Sequence, residues 1–164
     1  MKAITVWQPW AWLLAAGIKH DETRSWRTNY RGEILIHAAK KEFHEVAPLM
    51  TIEAYAALEA ELFRRRMNLM DRNRYFHTGA IIGTAFLTDC KLIDQEYHDF
   101  IKELCPEEFL YGDFTVGRYA WRLEKPQLFK TPIPTPGKQG LWNFGEDVRI
   151  RNGELYIGEA ENRE

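Results

Sequence analysis

The sequence predicts an α+β domain built on a small closed or half-closed β-barrel, with helices flanking it and inserted into it. Three observations lead there. Short strand-like runs outnumber helical ones, and the helical runs fall between them at irregular intervals, unlike the regular alternation of a parallel doubly wound sheet. No linker, internal repeat or low-complexity tract divides the 164 residues, a length that suits one core. The chain is therefore read as a single domain over 1–164, with an inserted helical segment at about 44–74 and a C-terminal extension at about 145–164.

Ala3–Trp7 (AITVW) reads as a short strand. Gln8-Pro9 then turns into an apolar helix over Trp10–Ala16, with proline in its first turn and Gly17 where a left-handed C-terminal residue is expected. That helix is apolar nearly all round, which predicts burial. His20–Trp26 and Gly32–Ala38 follow as strands. Between 44 and 70, Val46, Leu49, Met50, Tyr55, Leu58, Leu62 and Met67 recur at helical steps, predicting one long helix or two broken near Pro48–Thr51. Arg64, Arg65 and Arg66 are expected on its solvated face. Gly79–Leu87 is a strong strand that can run on to Leu92, with its glycines read as close barrel packing. A short helix is expected around Gln95–Leu104, then a loop over 105–117. Strands return at Arg118–Leu123 and Gln127–Phe129, before a segment punctuated by Pro and Gly. Asn152-Gly153 predicts a hairpin turn inside Val148–Ile157.

Composition narrows the function. The net charge of −2 gives no whole-molecule field for a polyanion, which argues against a high-affinity DNA binder. The charge is uneven, however: residues 1–44 carry seven Lys or Arg against four acids, and residues 146–164 carry six acids against three Arg. The chain holds 6 Trp and 7 Tyr, more flat surface than packing alone requires, so some rings are candidates to stack on a flat ligand. Cys90 and Cys105 show no metal or redox spacing and read as free thiols. The five histidines make no zinc-type spacing, so neither metal nor cofactor is expected, and His37 reads as a hydrogen-bonded core residue. No apolar run approaches the roughly 20 residues of a membrane span, and Pro9 and the early tryptophans interrupt any signal-peptide core. A cytoplasmic protein is expected.

The chemistry concentrates in Gly17-Ile-Lys-His-Asp-Glu-Thr-Arg24. Extended backbone over 20–24 would set His20, Glu22 and Arg24 on one face and Asp21 and Thr23 on the other. Lys19, at the turn, has the reach to bend back over Glu22. One carboxylate and two cations meeting at the end of a buried helix can supply a base, an acid and an oxyanion stabiliser. Surface ion pairs on an exposed strand are the bland alternative.

This run resembles the GxKxxExR signature of the ASCH family at every specified position: Gly17, Lys19, Glu22 and Arg24. The upstream VWQPWA is similar to that family's QPxA segment. GDFTVGRYAW at 112–121 and GKQGLWNF at 137–144 resemble segments of its longer bacterial and phage members. The resemblance implies a PUA-like fold, a small β-barrel with flanking helices and a cleft, which in that superfamily serves RNA or a modified base.

It implies two functions. Small bacterial members are amidohydrolases that remove the acyl group from N4-acetylcytidine and related N4-acylated cytosine nucleosides; others bind RNA or DNA, or cleave RNA. The amidohydrolases use a Lys, a Thr and a Glu. The Lys maps onto Lys19, whereas the Thr position holds Glu22, so a threonine nucleophile is not expected and a carboxylate that activates water takes its place. The second carboxylate maps onto Glu108, with Glu107 as its neighbour. On this reading Glu22 or Glu108 is the base and Lys19 steadies the oxyanion and shuttles a proton. Arg24 and Gln8 bind substrate, and Trp7, Trp26 or Tyr119 stack on the pyrimidine. The expected partner is a modified pyrimidine nucleoside, with RNA in the same cleft as the alternative. The oligomeric state is left open.

Overall fold

The computed structural model describes residues 1–145, 148–151 and 154–157. Six strands form one curled, half-barrel sheet in the order β2-β5-β4-β3-β1-β6. They are β1 (Lys2–Val6), β2 (Asp21–Arg24), β3 (Gly32–Ala38), β4 (Ala80–Leu92), β5 (Tyr119–Pro134) and β6 (Leu141–Asn143). Only β1 and β3 run parallel; every other neighbouring pair is antiparallel. The α+β expectation with a half-closed barrel therefore holds. A separate two-stranded pairing joins β7 (Val148–Arg151) to β8 (Glu154–Ile157). The Asn152-Gly153 turn expected between them lies outside the described residues.

The curl comes from β4 and β5, the longest strands, whose pairing slips at three points: Ile81/Gly83, Thr84/Phe86 and Leu87/Asp89. Each slip adds local twist and bends the ribbon. Two strands were expected at 118–123 and 127–129; one continuous strand is found, because the gap is bridged by Lys125 in a left-handed conformation (φ 49°) that keeps both halves on the β4 ladder. Gly83 sits at one of these slips. A Cβ there would lie 2.4 Å from the Gln127 carbonyl oxygen and 3.0 Å from the Ala15 Cβ. Gly83→Ala is expected to cost about 1–3 kcal/mol through overpacking, read as a lower melting temperature.

Helix α1 (Trp10–Ala15) fills the concave side, with Ala11, Trp12, Leu13, Leu14 and Ala15 all buried against β1, β3, β4 and β5. The predicted break in the next helical segment is present. α2 (Phe43–Val46) runs into a 3-10 turn at Ala47–Leu49 containing Pro48, and α3 (Ile52–Arg64) restarts behind Thr51, whose hydroxyl accepts the Ala54 N–H at 3.1 Å. Arg64 and Arg65 are exposed, yet both grip Glu61, and Arg64 also reaches Glu107 at 3.8 Å. α4 (Gln95–Leu104) lies where the sequence puts it.

The segment after α4 is a correction. It is not a loop throughout, since Pro106–Tyr111 forms helix α5. Proline at the first turn and two glutamates beside the positive helix end are helix-start signals that the turn-like composition of the whole segment masked. His37 behaves as expected of a core histidine. Its ring contacts the Thr5 hydroxyl at 3.3 Å and the Thr135 carbonyl at 2.8 Å, and burial pushes its pKa down.

Candidate functional site

The site is set up by the end of α1. Gly17 adopts φ 73°, which a side chain would strain, and the chain reverses through a double hydrogen bond: the Ile18 N–H to the Leu13 carbonyl at 2.9 Å and the Gly17 N–H to Leu14 at 3.2 Å. The Lys19 N–H joins the same Leu13 carbonyl at 3.0 Å. The glycine of the motif thus aims Lys19 inward. β2 then leaves as an edge strand on β5, with Glu22 opposite Trp121 and Arg24 opposite Tyr119. The expected alternation holds for Glu22 and Arg24, which share a face. Asp21 lies on the other, wholly buried against Arg122 at 2.8 Å and the Tyr97 hydroxyl at 2.9 Å. Burial raises the Asp21 pKa, while Arg122 opposes the rise.

A cavity of about 650 Å³ opens over this face. One wall is polar and carries Lys19, Glu22, Arg24, Asp113 and Arg118, three cations against two carboxylates. The other is apolar and is built from Trp10, Leu49, Met50, Ala54 and Leu110. Trp7 and Trp26 stand at its edge, 44% and 38% exposed. Lys41 lies over the Trp7 ring at 4.0 Å, and Trp26 packs edge-on against Trp121 at 4.5 Å. Tyr111 lines the cavity too; its pKa is pushed up to about 12, first by burial and then by Glu107 and Glu61, so the phenol stays neutral.

Around the polar wall the charges sort into three pairs, two of which hold the motif residues. Lys19 is 2% exposed, donates to the Asp21 carbonyl and faces Glu108 at 3.8 Å. Glu22, 8% exposed, faces the Arg24 Nε at 3.0 Å, in an ion pair too bent to be a hydrogen bond. Arg24 also donates to the Thr5 carbonyl at 2.8 Å, tying β2 to β1 across the cavity. Lys19 therefore does not fold over Glu22 as expected. The two share the cavity, but each keeps its own counterion.

Five sequence-expected residues line the cavity together: Lys19, Glu22, Arg24, Trp7 and Trp26. Three do not. Gln8 is buried at the start of α1, where its carbonyl accepts the Trp12 N–H at 3.0 Å and its amide donates to His77 at 2.8 Å. Wholly buried and with both ends tied to the fold, it does not line the cavity. Tyr119, though opposite Arg24, packs its ring against the core. Glu108 stands behind Lys19, outside the lining; its carboxylate accepts the N–H groups of His20 (2.9 Å) and Asp21 (2.9 Å) and touches the His20 ring. Glu107 points outward to Arg64.

Sequence reasoning gave no role to Asp113 and Arg118. They pair at 3.2 Å, and Arg118 also donates to the Thr23 carbonyl at 3.2 Å, fixing the rim of β2. Both fall in the GDFTVGRYAW run at 112–121. Among the described residues no group of three or more His, Cys, Asp or Glu converges as metal ligands, and no helix is long and apolar enough to cross a membrane.

Comparison with known proteins places this geometry in a family. The chain is 27% identical over 150 residues to human activating signal cointegrator 1 and 25% identical to the mouse protein, matching 92% of its own length in each case. It spans only 23% of the length of those relatives. In fold it is similar to the crystal structure of ASCH from Zymomonas mobilis, with 17% identity and a TM-score of 0.49 over 86% of this chain and 85% of that one. A point mutant of that bacterial protein gives 18% identity and a TM-score of 0.47 over the same shares. The ASCH domain profile matches residues 4–132, from β1 through most of β5, and the chain belongs to the ASCH domain family.

Proposed function

We propose that this chain is an amidohydrolase that removes the acyl group from N4-acylated cytosine nucleosides such as N4-acetylcytidine. The observation that carries this reading is the cavity itself: Lys19 and Glu22 lie on one wall of a space of about 650 Å³, with two exposed tryptophans at its edge. An N4-acylcytosine is flat, apolar at its acyl end, and splits through a tetrahedral oxyanion. The two tryptophans suit the ring, the apolar wall suits the acyl group, and the excess positive charge suits the oxyanion.

In this mechanism Glu22 takes a proton from water, which attacks the acyl carbon. Lys19 steadies the oxyanion and gives a proton to the departing N4. Arg24 pairs with Glu22 and holds it in place, and its remaining N–H groups are available to the cytosine carbonyl. Glu108 holds Lys19 from behind instead of acting as the base. The experiment is hydrolysis of N4-acetylcytidine, followed by the ultraviolet change on deacylation. Absence of turnover in the unmodified protein sinks the reading. Trp7→Ala and Trp26→Ala should each weaken cytidine binding by about 5- to 150-fold, the equivalent of roughly 1–3 kcal/mol of stacking, measured by calorimetry.

The alternative is an RNA-binding or RNA-cleaving cleft. Lys41 over the exposed Trp7 ring favours it, since a ring and a cation at a cavity mouth can hold a base and its phosphate together. Short-RNA affinity that falls steeply between low and moderate salt would support that reading; a flat response with nucleoside turnover supports the amidohydrolase.

A further inference from the structure

The ring chemistry of the proposed substrate locates the sugar end of the cavity. In cytosine the acylated amine is on C4, the sugar is on N1 directly across the ring, and the carbonyl beside N1 is the group given to Arg24. The sugar therefore lies next to Arg24 and away from the reacting amide. In the β2–β5 ladder Arg24 stands opposite Tyr119, and the residue directly before Tyr119 is Arg118. Arg118 holds Asp113 beside it at 3.2 Å, and both line the cavity. Asp113 is also fastened to β2, its N–H donating to the Thr23 hydroxyl at 3.2 Å, one residue beyond Glu22. The two oxygens of Asp113 are not equivalent. Oδ1 accepts the Thr115 N–H at 3.2 Å and the Thr115 hydroxyl at 2.5 Å. Oδ2 faces the Arg118 Nε at an angle too bent for a hydrogen bond, and it accepts none among the described residues. The side chain is 57% exposed. Partial burial works against ionisation, but hydrogen bonds from Thr115 and the Arg118 charge hold the carboxyl below the usual carboxylate range. At neutral pH it only accepts, which suits sugar hydroxyls and repels a phosphate in the same place.

We propose that Asp113 is a specificity-determining residue that selects ribonucleosides, its Oδ2 accepting hydrogen bonds from the vicinal 2′- and 3′-hydroxyls while Arg118 and Thr115 hold the carboxylate in position. The proposal rests on the amidohydrolase reading for the orientation of the ring. It names the substrate more closely: a nucleoside with a free ribose diol, ahead of the deoxynucleoside and the free base.

Cytidine and 2′-deoxycytidine differ by one donor, so calorimetry on the pair reads this contact. The unmodified protein should bind cytidine about tenfold or more tightly, the effect of one hydrogen bond to a charged acceptor at a partly exposed site. The same preference should appear in kcat/KM for N4-acetylcytidine over its 2′-deoxy counterpart. Asp113→Ala should bring both ratios to within about twofold. Asp113→Asn keeps the shape of the rim while removing the charge, and should bring them to about threefold or less, with a melting curve to check its fold. A ratio below about twofold in the unmodified protein overturns the proposal, as does an unchanged ratio in the asparagine variant. Equal losses on both ligands in the variants also overturn it, because a loosened rim acts on the two alike. Hydrolysis of both N4-acetyl nucleosides with equal kcat/KM keeps the amidohydrolase reading and removes the diol site. Absence of hydrolysis, with ribose-selective binding that Asp113→Asn abolishes, removes the reaction and keeps the site.

Discussion

Lys19→Met and Glu22→Gln are each expected to reduce kcat on N4-acetylcytidine by about 10²- to 10⁴-fold, the range over which a positioned acid, base or oxyanion partner acts. The two act on one transition state, so the double variant should be little worse than the poorer single one. Neither change should unfold the protein. Methionine fills the volume of the buried lysine stem, and Glu108 keeps its two backbone donors; Glu22→Gln keeps the shape beside Arg24. Melting curves run beside the kinetics separate lost chemistry from lost fold. Near-normal turnover in both single variants would end the assignment of this wall as catalytic.

Glu108→Ala is expected to fail in the opposite way, by instability. It removes the acceptor of the His20 and Asp21 N–H groups and the counterion of a lysine that is 2% exposed. Breaking one side of a buried pair costs about 3–5 kcal/mol, because the remaining charge stays buried without a partner. For a chain of this size that amounts to a melting temperature lower by roughly 6–20 °C. Glu108→Gln, which keeps one acceptor oxygen, should fall between. A melting temperature within about 2 °C of the unmodified protein in the alanine variant would show that the contact is not holding the turn.

The legible and illegible parts of the molecule differ in kind. α1, β3 and β4 were readable because their signals are local: an apolar run capped by proline and glycine, and β-rich strands with turn residues at their ends. The same holds for Gly17, Lys19, Glu22 and Arg24, whose spacing on one turn and one strand decides their faces. Gln8 misled because a polar side chain beside a motif can be consumed by the fold, here as the acceptor at the start of α1 and a donor to His77. Glu108 was legible as important but not as rearward, since its place depends on α5 packing behind a turn 88 residues away in sequence. Asp113 and Arg118 join the site only through the β2–β5 pairing and the turn before β5, which no local pattern encodes.

Much of the apolar wall comes from a stretch of the chain that carries none of the ionic wall. The ionic wall is carried by the turn after α1, by β2 and by the run before β5, while Leu49, Met50 and Ala54 come from the helices between β3 and β4. Residues on that second stretch can change in bulk without disturbing the lysine, the glutamate or the strand that carries them. Ligand size and reactivity are thereby separable traits, and exchanging residues 47–54 between relatives offers a direct route to retuning which molecules are admitted.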